Sequence, residues 1–201
     1  MCAYSSYLFA STAEPFFFLA RFLSCTIAIE LVPYNANWGL AFTHEATVWR
    51  QVLGDNLVAI HHIGSTAIPA ILAKPVVDIL GVVSDLAAVD EATPRLEVLG
   101  YIAKGENGIP RRRYFQKKDV TGAHSHHVHL FAVGADPIEH HLAFRDYLRA
   151  HPAAAARYSQ VKVLALANQP LTRQAYQDAK GPFITALQAE AVAWYRRGDG
   201  Y

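Results

Sequence analysis

Between Trp38 and Leu53 the apolar residues Trp38, Phe42, Trp49, Val52 and Leu53 recur at three- and four-residue steps. That spacing predicts one buried face of a helix, with Asn35 or Asn37 as its cap and Gly54 as its stop. The period then changes. Residues 57–63 (LVAIHHI) and 76–83 (VVDILGVV) are nearly continuous apolar runs, which predict strands covered on both faces. Leu86, Val89, Leu96 and Leu99 return to helical spacing, with Ser84 as cap, a kink at Pro94 and a stop at Gly100. Residues 111–117 and 126–133 predict two more strands, joined by a hairpin loop that turns at Gly122. From Asp136 onward the pattern is helical. Asp136 is placed as a cap with Pro137 at the first helical position, Pro152 starts a helix reaching about Ala167, and Thr172 caps another. A last helix near 182–197 carries Phe183, Ile184, Leu187, Ala191 and Trp194 on one face, after a break at Gly181-Pro182. The order predicts an α+β fold: a mixed sheet flanked by helices, with a helical C-terminal part.

Composition narrows the function classes. The 201 residues are 52% hydrophobic and 17% charged, enough for a core. A net charge of +1 argues against a protein that coats nucleic acid. Cys2 and Cys25 are the two cysteines, so there is no disulfide framework, no thiolate zinc site and no cysteine catalysis in the body of the chain. A reducing cytoplasm is the expected setting. Residues 1–28 are read as an apolar extension to a domain over 29–201. The stretch 15–29 contains Arg21 and falls short of the ~20 residues that span a bilayer, so no membrane association is expected.

The chemistry starts from one anomaly. Asp78 is the lone acid between Leu57 and Val83. A carboxylate within an apolar strand is costly unless it is paired or faces a cleft. Upstream, Gly64, Ser65 and Thr66 form a turn whose backbone N–H groups and hydroxyls suit an anion, and Lys74 lies near it. Leu80 shares a strand face with Asp78 and ligates nothing, so partners must come from elsewhere. His127 and His129 alternate onto one face of their strand, as a metal pair or as general bases. Arg111 and Arg113 share a face opposite Arg112, and Arg113 is a candidate phosphate contact. Tyr176 and Lys180, at i and i+4, read as structural, and neither His140 nor His141 is given a role.

The segments IELVPYNANW, HIGSTAIPAILAKPVVDIL, GIPRRRYF, HHVHLF and HLAFRDYLRAHP, in order from Ile29, together resemble the GrpB family, which is related to the nucleotidyltransferase superfamily. The resemblance implies a nucleotidyltransferase-like sheet in which Gly64 and Ser65 match the nucleotide-holding turn and Asp78 the first metal-binding acid. Leu80 stands where a second acid is expected, with His127 and His129 in place of a third. It therefore implies a nucleotide or another phosphorylated ligand, and nucleotidyl transfer with a divalent metal: Mg²⁺, or with imidazole ligands Mn²⁺ or Zn²⁺. On this reading Asp78, His127 and His129 are catalytic and metal-binding, and Gly64, Ser65, Thr66, Lys74 and Arg113 bind ligand. The family also occurs fused to dephospho-CoA kinase. That implies an alternative: a non-catalytic folding-accessory or interaction domain with a protein partner.

Overall fold

The structure is a computed structural model that describes residues 30–167 and 172–198. The extension at 1–28 lies outside the described residues. The chain enters through a single antiparallel bridge between Val32 and Ala73. Helix α1 (Asn37–Leu53) follows, where the Asn35 side chain accepts from the Asn37 N–H at 2.9 Å. Gly54, at φ 54°, ends it.

Strand β1 (Leu57–Ile63) turns at Gly64 into a single 3₁₀ turn, Ser65–Ala67. Strand β2 (Val77–Val83) leads to helix α2 (Leu86–Val98). Asp85, not Ser84, caps α2: its carboxylate accepts from the Ala87 N–H at 2.9 Å. The short strand β3 (Tyr101–Ala103) was too brief to show a period. Strand β4 (Arg113–Lys118) begins two residues later than its pattern suggests, because Arg111 takes φ 61°, outside extended geometry. Strand β5 (His124–Ala132) closes the hairpin through Gly122, at φ 85°, and the Asp119 carboxylate fixes the turn by accepting from the N–H groups of Thr121 and Ala123.

The sheet order is β1-β2-β5-β4-β3. Only β2 and β5 run parallel, so the sheet is mixed as the pattern predicted. In that central pair Asp78 stands beside His127 and Leu80 beside His129.

Alternation along β2 and β5 then sorts the two faces. Val77, Ile79 and Val83, with Val128 and Leu130, pack under α1 and α2 in the main core with Trp49 and Leu96. Burial of each such large side chain contributes about 1.5–3 kcal/mol. Asp78, Leu80, His127 and His129 take the other face.

That second face is covered by helices α3 (Asp136–Ala150), α4 (Pro152–Ala167) and α5 (Arg173–Arg196). Ala135 is the cap of α3; Asp136 is already its first residue, with Pro137 next. The helices share their own core through Ile71, Tyr147, Leu148, Leu187 and Trp194. They meet the sheet where Ile138 and Leu142 touch Ile63, Leu80 and Phe131.

The predicted break at Gly181-Pro182 is absent. Helix α5 runs through Pro182 after a cap by Thr172, whose hydroxyl accepts from the Ala175 N–H. A proline inside a helix frees one carbonyl and strains another turn. One turn on, the Thr185 hydroxyl donates to the Gly181 carbonyl at 3.1 Å. No described helix is long and apolar enough to cross a membrane.

Candidate functional site

The antiparallel register sets Ile63, the last residue of β1, opposite Asp78. The turn therefore begins alongside the acid. Gly64 has φ 68°, and a Cβ placed on it would lie 2.9 Å from the Asp78 Cβ and closer still to its carboxylate. Only glycine satisfies both the backbone and the contact. The sequence anomaly is thus resolved locally: the lone acid folds against the bare face of the turn.

Asp78 keeps about a third of its side chain exposed, at 30%. Its Oδ1 lies 3.3 Å from His127 Nδ1. The carboxylate can only accept, so Nδ1 carries the proton. Burial pushes the Asp78 carboxyl up, but the His127 hydrogen bond and the imidazoles of His127, His129 and His141 outweigh it and hold Asp78 below the usual carboxylate range. His127 Nε2 is engaged by His124 Nδ1 at 3.3 Å. His129 Nδ1 faces the guanidinium of Arg112 at 3.3 Å, and burial drives that ring down to about 3, so it is neutral.

The rest of the cleft is cationic. A cavity of about 210 Å³ is lined by Gly64, Ser65, Asp78 and His127 from the sheet side, together with Lys74, Lys162 and Lys180. Lys162 is almost wholly buried, at 2% exposure. Its ammonium donates to the Ser65 hydroxyl at 3.1 Å and to the Leu72 carbonyl. Each helical lysine lies over the tyrosine four residues before it: Lys162 is 4.4 Å from the Tyr158 ring centre, and Lys180 is 4.5 Å from that of Tyr176. Lys74 lies 4.9 Å from the same Tyr176 ring. Burial, and then the neighbouring lysines, lower Lys162 to about 7 and Lys180 to about 8. An anion entering here would meet the desolvated amines of Lys162 and Lys180, whose charged forms it would stabilise.

Asp78, His127, Gly64, Ser65 and Lys74 are therefore brought together as the sequence suggested. Three other candidates lie outside this lysine-lined cavity. Thr66 is buried, with its hydroxyl 2.9 Å from Nε2 of His62 on β1. His129 lies on the same sheet face but is held by Arg112. Arg113 points to the opposite face, where it forms a two-pronged pair with Asp90 of α2 at 2.5 and 2.6 Å. The expected strand alternation of the three arginines does not hold, because Arg111 and Arg112 precede β4 and Arg111 takes φ 61°; the arginine on the His129 side is Arg112, which is 5% exposed.

Sequence reasoning missed Tyr158, Lys162, Tyr176 and Lys180 as cleft residues. Two signals were present. Lys162 is a lone charge within the apolar run QVKVLALA, as Asp78 is in its strand, and the Tyr-x-x-x-Lys spacing occurs in two successive helices.

The residues do not fit the divalent metal that the superfamily resemblance implies. Mg²⁺ wants several oxygen ligands. The position beside Asp78 is Leu80, fully buried against Ile63 and Phe131. Both His127 nitrogens are engaged, one His129 nitrogen faces a guanidinium, and three amines share the cavity. Among the described residues no three His, Cys, Asp or Glu side chains gather to hold a metal ion. A larger cavity of about 650 Å³, beyond α4 around Leu72 and Leu164, has no charged lining residue among the described residues and shares none with the cleft.

Comparison with known proteins agrees with this architecture. A family model described as "GrpB protein" matches residues 28–190. The UPF0157 protein YqkA of Bacillus subtilis is 41% identical over 166 residues, covering 83% of this chain and 48% of that protein, so the chain spans about half of that relative. The UPF0157 protein BH1888 of Halalkalibacterium halodurans is 33% identical over 83% of this chain and 84% of its own. A protein named dephospho-CoA kinase from Mycolicibacterium paratuberculosis is 29% identical, with 45% of its length matched. Among solved structures, the conserved protein GrpB from Enterococcus faecalis superposes with TM-score 0.78 at 35% identity, covering 83% of this chain and 99% of that one.

Proposed function

The chain belongs to the GrpB family, and on that premise we propose that its cleft binds a nucleotide or another phosphorylated small molecule through amines rather than through a metal. One observation carries the reading: Lys74, Lys162 and Lys180 converge with the Gly64–Ser65 turn on a cavity that holds a single carboxylate among the described residues. Two or three desolvated ammonium groups offset the charge of a phosphate directly, and in a water-poor site each is worth more than at the surface. Asp78 and His127 then stand beside the bound phosphate as a hydrogen-bonded acid–imidazole pair. The ionised Asp78 carboxylate, oriented by His127, is able to take a proton from a hydroxyl, so transfer of a phosphoryl or nucleotidyl group to an alcohol, with the remaining phosphate leaving, is the reaction this cleft suits.

Calorimetric titration of pyrophosphate and of nucleoside triphosphates, in chelator and then in Mg²⁺, tests this. Binding is expected in chelator, weakened about tenfold or more by Lys162→Gln or Lys180→Gln. No binding under either condition overturns it.

The rival reading is an accessory or docking domain without ligand chemistry. The match to a protein named dephospho-CoA kinase over less than half of that protein's length favours it. It predicts a protein partner on co-purification and a cleft indifferent to phosphate.

A further inference from the structure

Asp78, Gly64 and Tyr158 line two cavities, not one. The second, of about 450 Å³, opens on the other side of Asp78 toward α3 and α5. Its character is different. Among the described residues no lysine or arginine lines it, and Asp78 is its sole acid. Its walls combine Ile63, Phe144 and Ile184 with the imidazoles of His129, His140 and His141 and the amide of Gln188. His129 and His141 are uncharged at neutral pH because burial lowers both. Phe144 stands edge-on to Tyr158, with ring centres 5.4 Å apart, at the junction of the two cavities.

We propose that this second compartment receives the uncharged, flat heterocyclic body of the same molecule whose phosphate the lysines hold. The inference rests on the phosphate-binding reading of the neighbouring cavity. A charged body would find no counter-ion apart from Asp78, which is already engaged by His127. A purely aliphatic body would leave several imidazoles and an amide without partners, at a cost in binding. A heteroaromatic ring satisfies both conditions. It offers an apolar face to Phe144 and Ile184, and donors and acceptors at its edge to His140 and Gln188. The volume lies within the range of ordinary small-molecule sites, about 300–1,000 Å³, which the lysine cavity alone does not reach. Continuity through Gly64 and Asp78 lets one ligand occupy both.

The test compares inorganic tripolyphosphate with the four common ribonucleoside triphosphates, titrated into the wild-type chain and into Ile184→Trp and Gln188→Trp. Both substitutions fill the second compartment from positions that are not fully buried. At least one nucleotide is expected to bind the wild type about tenfold tighter than tripolyphosphate. Each filled variant should lose that advantage while binding tripolyphosphate within about twofold of wild type, which also reports that it is folded. Two outcomes overturn the inference and leave the phosphate reading standing: nucleotides and tripolyphosphate binding the wild type equally, or an undiminished nucleotide preference in both variants. If tripolyphosphate itself fails to bind the wild type, the phosphate reading falls and takes this one with it.

Discussion

Asp78 rests against the face of Gly64 that any other residue would fill with a side chain, and the turn and the acid are one unit for that reason. Gly64→Ala would add a methyl group within contact of the carboxylate at φ 68°. We expect a loss of about 2 kcal/mol or more, from backbone strain and displacement together. Urea unfolding of the variant measures it; stability equal to wild type would show that the contact is loose.

Asp78→Asn separates an amine-lined site from a metal-bridged one by the sign of its effect. In the amine-lined cleft the carboxylate opposes an incoming anion, so pyrophosphate should bind the variant more tightly, by a few-fold, in chelator. Where binding ran through a metal held by Asp78, the same change would weaken binding measured in Mg²⁺. Calorimetry on the pair decides.

The lysines predict opposite pH trends for affinity and stability. Lys162 is lowered to about 7 and Lys180 to about 8, so raising pH from 7 to 9 discharges amines that the ligand needs, and phosphate affinity should fall. In the unfolded chain both amines hold their protons until about 10.4. Over the same interval the unfolded state binds more protons than the folded one, so these two groups add stability to the unliganded protein as pH rises. Titration and denaturation across pH 7–9 measure both trends, and Lys162→Gln should flatten each.

On the far face of the sheet, Glu45 is 4% exposed, donated to by Lys117 at 2.8 Å and by the Tyr101 hydroxyl. Burial opposes its charge, but the Lys117 and Tyr101 hydrogen bonds prevail and hold its pKa below the normal value of 4.5. Its contribution is complete above that normal value and is lost as pH falls through the lower folded one. Glu45→Ala should destabilise by about 2–3 kcal/mol, below the range for fully buried pairs because Lys117 can reach water. Denaturation at pH 7 and again at pH 3, where the difference should shrink, checks it.

The long elements were legible because period and punctuation agreed. Strand β1 and helix α4 were predicted at the residues where they lie, and β2 and α1 within one or two. Pro182 misled because a local rule was overridden: α5 is anchored before the proline by buried Tyr176 and after it by Leu187, Ala191 and Trp194. At the site, Asp78 was visible as a charge in an apolar run. Lys162 carried the same signature but was not weighed, because long amine side chains ordinarily reach solvent. Arg113 was chosen over Arg112 because alternation gives two faces without saying which is the cleft; Asp90, on a different element, decides it. Leu80 was read as an unusable ligand, and its burial between Ile63 and Phe131 shows that restoring an acid there would break an apolar cluster.

Because α5 passes unbroken through Pro182, Lys180 of the phosphate cavity and Gln188 of its neighbour ride on a single rod, about 12 Å apart along its axis. The two compartments therefore share one wall, and the spacing between their polar groups is fixed by helix geometry rather than by a loop.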